Sequence, residues 1–209
     1  MSRRHDYRMS HQDHARAIAL LCHRDKDFRQ VIGCHGLPPM WQRKPGFVTL
    51  VHTILEQQVS LASAKAVLKK LRKICTPLNP DKLLALSTAQ LAASGFSRQK
   101  MRYCRTLAEA ISSAELNLRK LHRLDDDSFR KEITVYPGIG PWTADVYLLM
   151  ALGRPNVWPS GDLALMAATQ SLKNLQARPS RDEMDRIGEK WRPYRSSAAR
   201  ILWHHYLNN

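Results

Sequence analysis

Cysteine is scarce in this chain of 209 residues, and none follows Cys104. The four present, Cys22, Cys34, Cys75 and Cys104, are too scattered for paired metal-ligand spacing or a dense disulfide framework, so they read as reduced thiols. The nine histidines form neither a His-Glu-x-x-His run nor a deaminase-type His-x-Glu with Cys-x-x-Cys, which argues against a catalytic zinc. His204 and His205 read as ordinary surface or half-buried side chains. No apolar run approaches the length of a membrane-spanning helix, and the stretch 17–22 is too short and too soon followed by charge for a signal peptide. A soluble, intracellular protein without a membrane partner is expected: in the cytoplasm or nucleoid if bacterial, in the nucleus if eukaryotic. Strand-like alternation, internal repeats, low-complexity tracts and long linkers are also missing.

Acidic residues are few as well. Asp plus Glu number 18 against 33 for Lys plus Arg, a net charge of +15, and an excess this large favours a polyanionic partner such as nucleic acid. What remains is helical in pattern. Apolar residues recur at helical spacing through Phe47, Leu50, Val51, Ile54, Leu55 and Val59, and again through Cys104, Leu107, Ala108 and Ile111. Asn79-Pro80 and the capping boxes Ser87-x-x-Gln90 and Ser180-x-x-Glu183 mark helix starts, and Gly95 and Gly153 mark helix ends. The run 146–152 is apolar on nearly every side, which predicts a central helix. The expected architecture is all-α, with two helical lobes sharing a cleft and a polar N-terminal extension through about His14. One compact body over 1–209 divides into lobe A, 47–146, and lobe B, 15–46 plus 147–209.

The densest information lies in Val135-Tyr136-Pro137-Gly138-Ile139-Gly140-Pro141-Trp142-Thr143-Ala144, followed by Trp158-Pro159-Ser160-Gly161-Asp162. Pro137 and the two glycines end one helix in a turn too tight for side chains, and Pro141 suits the first turn of the next. A helix, a hairpin and a helix result. The backbone N–H groups of Gly138 and Gly140, with a helix N-terminus behind them, can receive a phosphate oxygen.

Together with Ile54-Leu55-Glu56-Gln57-Gln58-Val59-Ser60, Ser97-Arg98-Gln99-Lys100 and Trp191-Arg192-Pro193-Tyr194-Arg195-Ser196, this pairing resembles the helix-hairpin-helix, Gly/Pro-rich loop, Asp superfamily of DNA glycosylases. Within it the chain is similar to the DNA-3-methyladenine glycosylase II branch, from about Gly46 nearly to the end. The resemblance implies a hairpin at the cleft and double-stranded DNA with alkylated bases as partner. No cofactor and no iron–sulfur cluster are expected, since the endonuclease III branch builds its cluster from closely spaced C-terminal cysteines. A monomer is expected. The branch's best-known enzymes carry an additional N-terminal α/β domain, which a chain of this length is not expected to include.

Residue roles follow in the same way. Asp162 suits a helix N-cap, and it also occupies the place of the family's essential aspartate; both readings can hold together. Such a carboxylate stabilises positive charge developing on the deoxyribose or orients an attacking water. Asp145, the rival, reads better as a dipole-favoured or arginine-paired residue. Trp142 stands where bifunctional members place a catalytic lysine, so the resemblance implies a monofunctional, hydrolytic enzyme. Trp142 and Tyr194 are base-pocket candidates whose faces suit a cationic alkylated purine, with Gln57 facing the same pocket and Tyr136 and Tyr147 as weaker candidates. Each also reads as a packed core or half-buried ring.

Gln57 and Gln58 interrupt an apolar helix pattern and predict a break. Gln58 matches the family's wedge that fills the gap left by an extruded base, against an even alternative of two solvated glutamines. Gly138, Gly140, Thr143, Arg98, Lys100, Arg195 and Ser196 are candidate DNA-backbone contacts, with Arg102 and Arg105 near them. The expected activity is hydrolysis of the N-glycosidic bond of bases such as 3-methyladenine and 7-methylguanine. A non-catalytic damage-binding protein and a glycosylase for other modified or mismatched bases are the alternatives.

Overall fold

The structure is a computed structural model that describes residues 8–209. Residues 1–7, the first part of the expected N-terminal extension, lie outside the described residues. Among the described residues there are thirteen helices and no strand, so the all-helical expectation holds. In chain order they are α1 (His11–Arg24), α2 (Lys26–His35), α3 (Phe47–Glu56), α4 (Leu61–Ile74), α5 (Pro80–Leu84) and α6 (Thr88–Ala93). Then come α7 (Arg98–Ser112), α8 (Leu118–Leu121), α9 (Asp126–Ile133), α10 (Pro141–Met150), α11 (Leu163–Leu172), α12 (Arg181–Glu189) and α13 (Arg195–Asn208). None is long and apolar enough to cross a membrane.

The described chain divides into two compact units. One is Arg43–Tyr147 and the other is 8–42 with Leu148–Asn209, the division falling within α10. We call them the hairpin unit and the Asp162 unit.

In the hairpin unit the core forms around α3, which buries Phe47, Leu50, Val51, Ile54 and Leu55 and packs on α4 and α7. Helix α7 turns Met101, Cys104, Leu107 and Ala108 inward and also packs on α5 and α6. Local chemistry sets the boundaries. Asn79 caps α5 with Pro80 in its first turn, Ser87 and Gln90 close a reciprocal box on α6, and Gly95 follows that helix with φ +98°. Such caps contribute about 0.5–2 kcal/mol each.

In the Asp162 unit α13 packs against α1, α2 and α11 and is buried from Ser196 through Trp203. A helix covered along that length is the centre of its unit. Arg200 is wholly buried and donates to Met40 O at 2.8 Å, Ser196 O at 3.0 Å and Leu149 O at 3.0 Å. Burial pulls its guanidinium down to about 10, which leaves it charged at neutral pH.

The extension expected through His14 is, from residue 8 onward, packed structure. Met9 is buried and donates its N–H to Gly153 O at 2.9 Å. Ser10 and Asp13 form the capping box of α1, and buried His14 meets Ser197 Oγ at 2.9 Å through Nδ1. Three polar residues of the expected extension thus serve as a cap and an inward-facing imidazole, while Arg8, His11 and Gln12 are exposed.

Candidate functional site

Helix α9 ends at Ile133, and a turn closed by Tyr136 N–H to Ile133 O and Ile139 N–H to Tyr136 O leads to Gly138 at φ +87°. A Cβ on Gly138 would stand 2.3 Å from the Tyr103 ring, so glycine is required by conformation and by close approach. Gly140 is exposed, and its carbonyl accepts from Ala144 N–H at 3.0 Å to start α10 with Pro141 in the first turn. Trp142 lies half-buried in that turn. The hairpin thus delivers a glycine loop to a helix N-terminus, the arrangement that receives an anion.

Helix α3 stops at Glu56, as the paired glutamines suggested. Gln57 is extended and exposed Gln58 has φ +55°. The amide of Gln57 is turned to the hairpin: Nε2 donates to Gly138 O at 2.7 Å and to Thr143 Oγ1 at 2.9 Å. Thr143 is itself buried, at 1% exposure, and its side-chain oxygen is engaged by Gln57.

Lys100 is engaged within the fold. Its ammonium donates to Leu55 O at 2.7 Å and Gln57 O at 2.8 Å, and burial lowers its pKa below the ordinary lysine value. Beside it, Arg43 clamps Glu56 with two bonds of 2.8 and 2.6 Å. Arg98 remains an exposed cation. It lies about 200° around α7 from Lys100, in the row with Arg102 and Arg105 that lines an open groove with Thr88.

Three lesser candidates of this unit are structural. Asp145 is buried and accepts from Arg130 Nε at 2.7 Å. Burial opposes the Arg130 charge, yet the Asp145 carboxylate outweighs it and the guanidinium pKa is raised. Tyr147 is fully buried, its hydroxyl accepting from Gly46 N–H at 2.7 Å and bonded to His122 Nε2 at 2.8 Å. Tyr136 donates to Glu115 at 3.3 Å.

In the Asp162 unit a tight loop from Trp158 to Gly161 returns Asp162 N–H to Pro159 O at 2.9 Å and places Asp162 as the N-cap of α11. Its Oδ1 accepts from Leu165 N–H at 2.9 Å and from the indole Nε1–H of Trp203 at 3.1 Å. The carboxylate is buried, at 7% exposure, and the capping position fixes its direction.

Trp203 was missed in the sequence, where it looks like one more apolar residue of Ile201-Leu202-Trp203. Trp41 meets it edge to face, with ring centroids 6.5 Å apart. Tyr194 carries the Arg24 guanidinium 5.9 Å from its ring centroid.

Two further phosphate candidates also meet partners within the fold. Arg195 donates to Asn156 O and Oδ1 and to Glu189 at 3.2 Å. Ser196 has no exposed surface; its Oγ donates to Arg154 O at 2.6 Å and accepts from Val157 N–H at 2.9 Å. Both fasten the loop at 154–157 to the start of α13.

The chain is 33% identical over 129 residues to YfjP of Bacillus subtilis, covering 62% of this chain and 45% of that protein. It is 27% identical over 169 residues to the DNA-3-methyladenine glycosylase of the same bacterium, covering 75% and 56%. It therefore spans about half the length of these relatives. Among solved structures, the 3-methyladenine DNA glycosylase Mag1 of Schizosaccharomyces pombe, in complex with abasic DNA, matches with a TM-score of 0.81 at 24% identity, over 90% of this chain and 95% of that one. A DNA-3-methyladenine glycosidase from Bacillus halodurans matches with a TM-score of 0.72 at 27% identity, over 91% and 87%. The HhH-GPD superfamily base excision DNA repair protein family matches residues 51–193, a span that holds Gln57, the hairpin and Asp162, and the chain belongs to that family.

Proposed function

We propose that this chain is a monofunctional DNA glycosylase of base excision repair that hydrolyses the N-glycosidic bond of alkylated bases in duplex DNA. The observation that carries the reading is Asp162: a buried carboxylate oriented by the Leu165 amide and the Trp203 indole before any substrate arrives. Such an anion stabilises positive charge on the sugar as the base departs, or aligns the water whose oxygen bonds to the anomeric carbon. The base leaves with the electron pair of the broken bond. A base made cationic by alkylation departs as a neutral molecule, so little general-acid assistance is needed.

The chain's other parts supply grip and extrusion. Gly138, exposed Gly140 and the N-terminus of α10 suit a backbone phosphate, exposed Gln58 suits the gap in the stack, and the net charge of +15 suits the polyanion. The relatives named for 3-methyladenine support alkylated purines as substrates. An indole at Trp142 offers no amine to form an imine, which supports hydrolysis without strand cleavage.

The test is incubation with duplexes holding 3-methyladenine or 7-methylguanine, reading free base by chromatography and the strand by gel after mild handling. Free base with an uncut strand, and no covalent complex on borohydride treatment, is expected. Binding without base release would leave a damage-binding protein. A borohydride-trapped complex would show lyase chemistry from another amine.

A further inference from the structure

Helix α3 ends in a way that leaves carbonyls in need of donors. It has no basic residue in its last turn, and extended Gln57 and left-handed Gln58 follow it directly. The oxygens of Leu55 and Gln57 are both met by one side chain, Lys100 of α7, at 2.7 and 2.8 Å. A cation at a helix C-terminus is favourable by charge as well as by hydrogen bonding. Here it comes from another helix.

The same face of α7 reaches the hairpin. The Tyr103 ring occupies the space in which a side chain at Gly138 would stand, and Gln99 Nε2 donates to the Tyr103 hydroxyl at 2.6 Å. Gln57 joins the two segments through its bonds to Gly138 O and Thr143 Oγ1. The end of α3, the hairpin and α7 are therefore braced to one another within a single unit, and the Gln58 side chain, for which no bond within the brace is seen, is exposed.

We propose that Lys100 is a positioning residue for Gln58: by holding the Leu55 and Gln57 carbonyls it fixes Gln58 against the hairpin in the attitude from which it enters the base stack, and it does not contact phosphate. This rests on the reading of the chain as a base-extruding glycosylase. A lysine engaged by two main-chain carbonyls contributes nothing to counterion release. A phosphate-bound lysine accounts for about 0.9 of the slope of log affinity against log salt. The two roles are therefore separable in solution.

The experiment uses a duplex holding 2′-fluoro-7-methylguanine, whose glycosidic bond resists hydrolysis, beside 2-aminopurine, whose fluorescence rises when its neighbour leaves the stack. Wild type, Lys100→Met, Gln58→Ala, the double variant and Lys100→Arg are compared at saturating protein. Single-turnover base release on the ordinary 7-methylguanine duplex is measured in parallel. Lys100→Met is expected to lose most of the fluorescence gain and to slow base release by about 10-fold or more, as a misplaced group does, with the salt slope of binding unchanged. In the Gln58→Ala background the same substitution should add less than about 2-fold, because the two act through one another. Lys100→Arg, which still donates to two carbonyls, should recover most of both signals.

A salt slope smaller by about 0.9, losses that multiply in the double variant, or a Lys100→Met protein equal to wild type would each overturn the proposal. Should Lys100→Met not fold, Lys100→Gln, able to serve one carbonyl, is held to the same criteria. A fluorescence gain by wild type without base release from the ordinary duplex defeats the glycosylase reading alone. Equal gains by wild type and Lys100→Met defeat the positioning role alone.

Discussion

The hairpin unit and the Asp162 unit fasten their functional segments in opposite ways. In the first, side chains grip main chain: Lys100 holds the Leu55 and Gln57 carbonyls, Gln57 holds the Gly138 carbonyl, and the Gln58 side chain is left exposed. In the second, the functional side chain is itself gripped. Oδ1 of Asp162 takes the Leu165 amide and the Trp203 indole, and the helix that carries Trp203 is anchored by Arg200 to the carbonyls of Met40 and Leu149. The difference follows from the work proposed for each. A wedge must present a side chain before DNA arrives, so only its backbone can be fixed. A carboxylate facing a developing charge acts best when it needs no reorientation, so its oxygens are fixed. Asp145, as buried as Asp162, is held in another way: it lies against the Arg130 guanidinium, and an ion-paired carboxylate has its field largely cancelled.

The comparison breaks most visibly at Asp162. Asp162→Asn keeps an acceptor for Leu165 and Trp203, so the helix cap should survive, with unfolding free energy and DNA affinity within about 1 kcal/mol of wild type. Base release in single turnover should fall by about 100-fold or more, because the charge has gone while the geometry remains. Turnover near wild type would move the chemistry elsewhere, with Asp145 the next residue to vary.

A smaller effect sharpens the contrast through pH. Burial, with help from the Arg200 charge, lowers the pKa of His14 from 6.5 to about 4. Between those values the unfolded chain binds more protons than the folded one, so stability should fall as pH drops from 6.5 towards 4 and be level above 6.5 for this group. The change is at most about 3 kcal/mol. Tryptophan fluorescence in urea titrations reports it well, since Trp41, Trp158, Trp191 and Trp203 all belong to the Asp162 unit. His14→Gln should flatten the dependence, and an unchanged pH profile in that variant would show that other groups carry it.

The smallest effect separates two arginines that look alike in the sequence. Arg98→Ala should lower the salt slope of DNA binding by about 0.9 if this exposed cation meets one phosphate. Arg195→Ala should leave the slope unchanged and cost about 1–2 kcal/mol of stability, because its guanidinium holds Asn156 and Glu189. Anisotropy titrations over a salt series and urea unfolding distinguish them, and reversed results would exchange their roles.

What the sequence made legible was whatever nearest neighbours dictate. The boxes at Ser87 and Ser180, the Asn79-Pro80 start, the glycine ends at Gly95 and Gly153, the hairpin turn and the Asp162 cap all depend on residues within a turn of each other. The break at Gln57 was also readable, because two amides interrupt an apolar stripe. The direction of the Gln57 amide was not, since its partners lie 81 and 86 residues away. Trp203 and Asp162 are 41 residues apart, and nothing in the apolar run around Trp203 marks it as a hydrogen-bond donor to a carboxylate. Lys100, Arg195 and Ser196 carry the right chemistry for phosphate, and the partners they meet inside the fold, 39 to 45 residues away, are equally invisible to local sequence. Polar residue type reports what a side chain can do; the tertiary structure decides which partner reaches it.

The left-handed backbone of Gln58 has a consequence for how this protein would respond to selection. A side chain at positive φ costs on the order of 1 kcal/mol that glycine would not incur. A library of variants screened for heat resistance alone would therefore drift towards glycine at position 58, and the same library screened for repair of alkylated DNA would discard it. With the wedge role proposed for Gln58, its backbone angle records a conflict between durability and use, decided in favour of use.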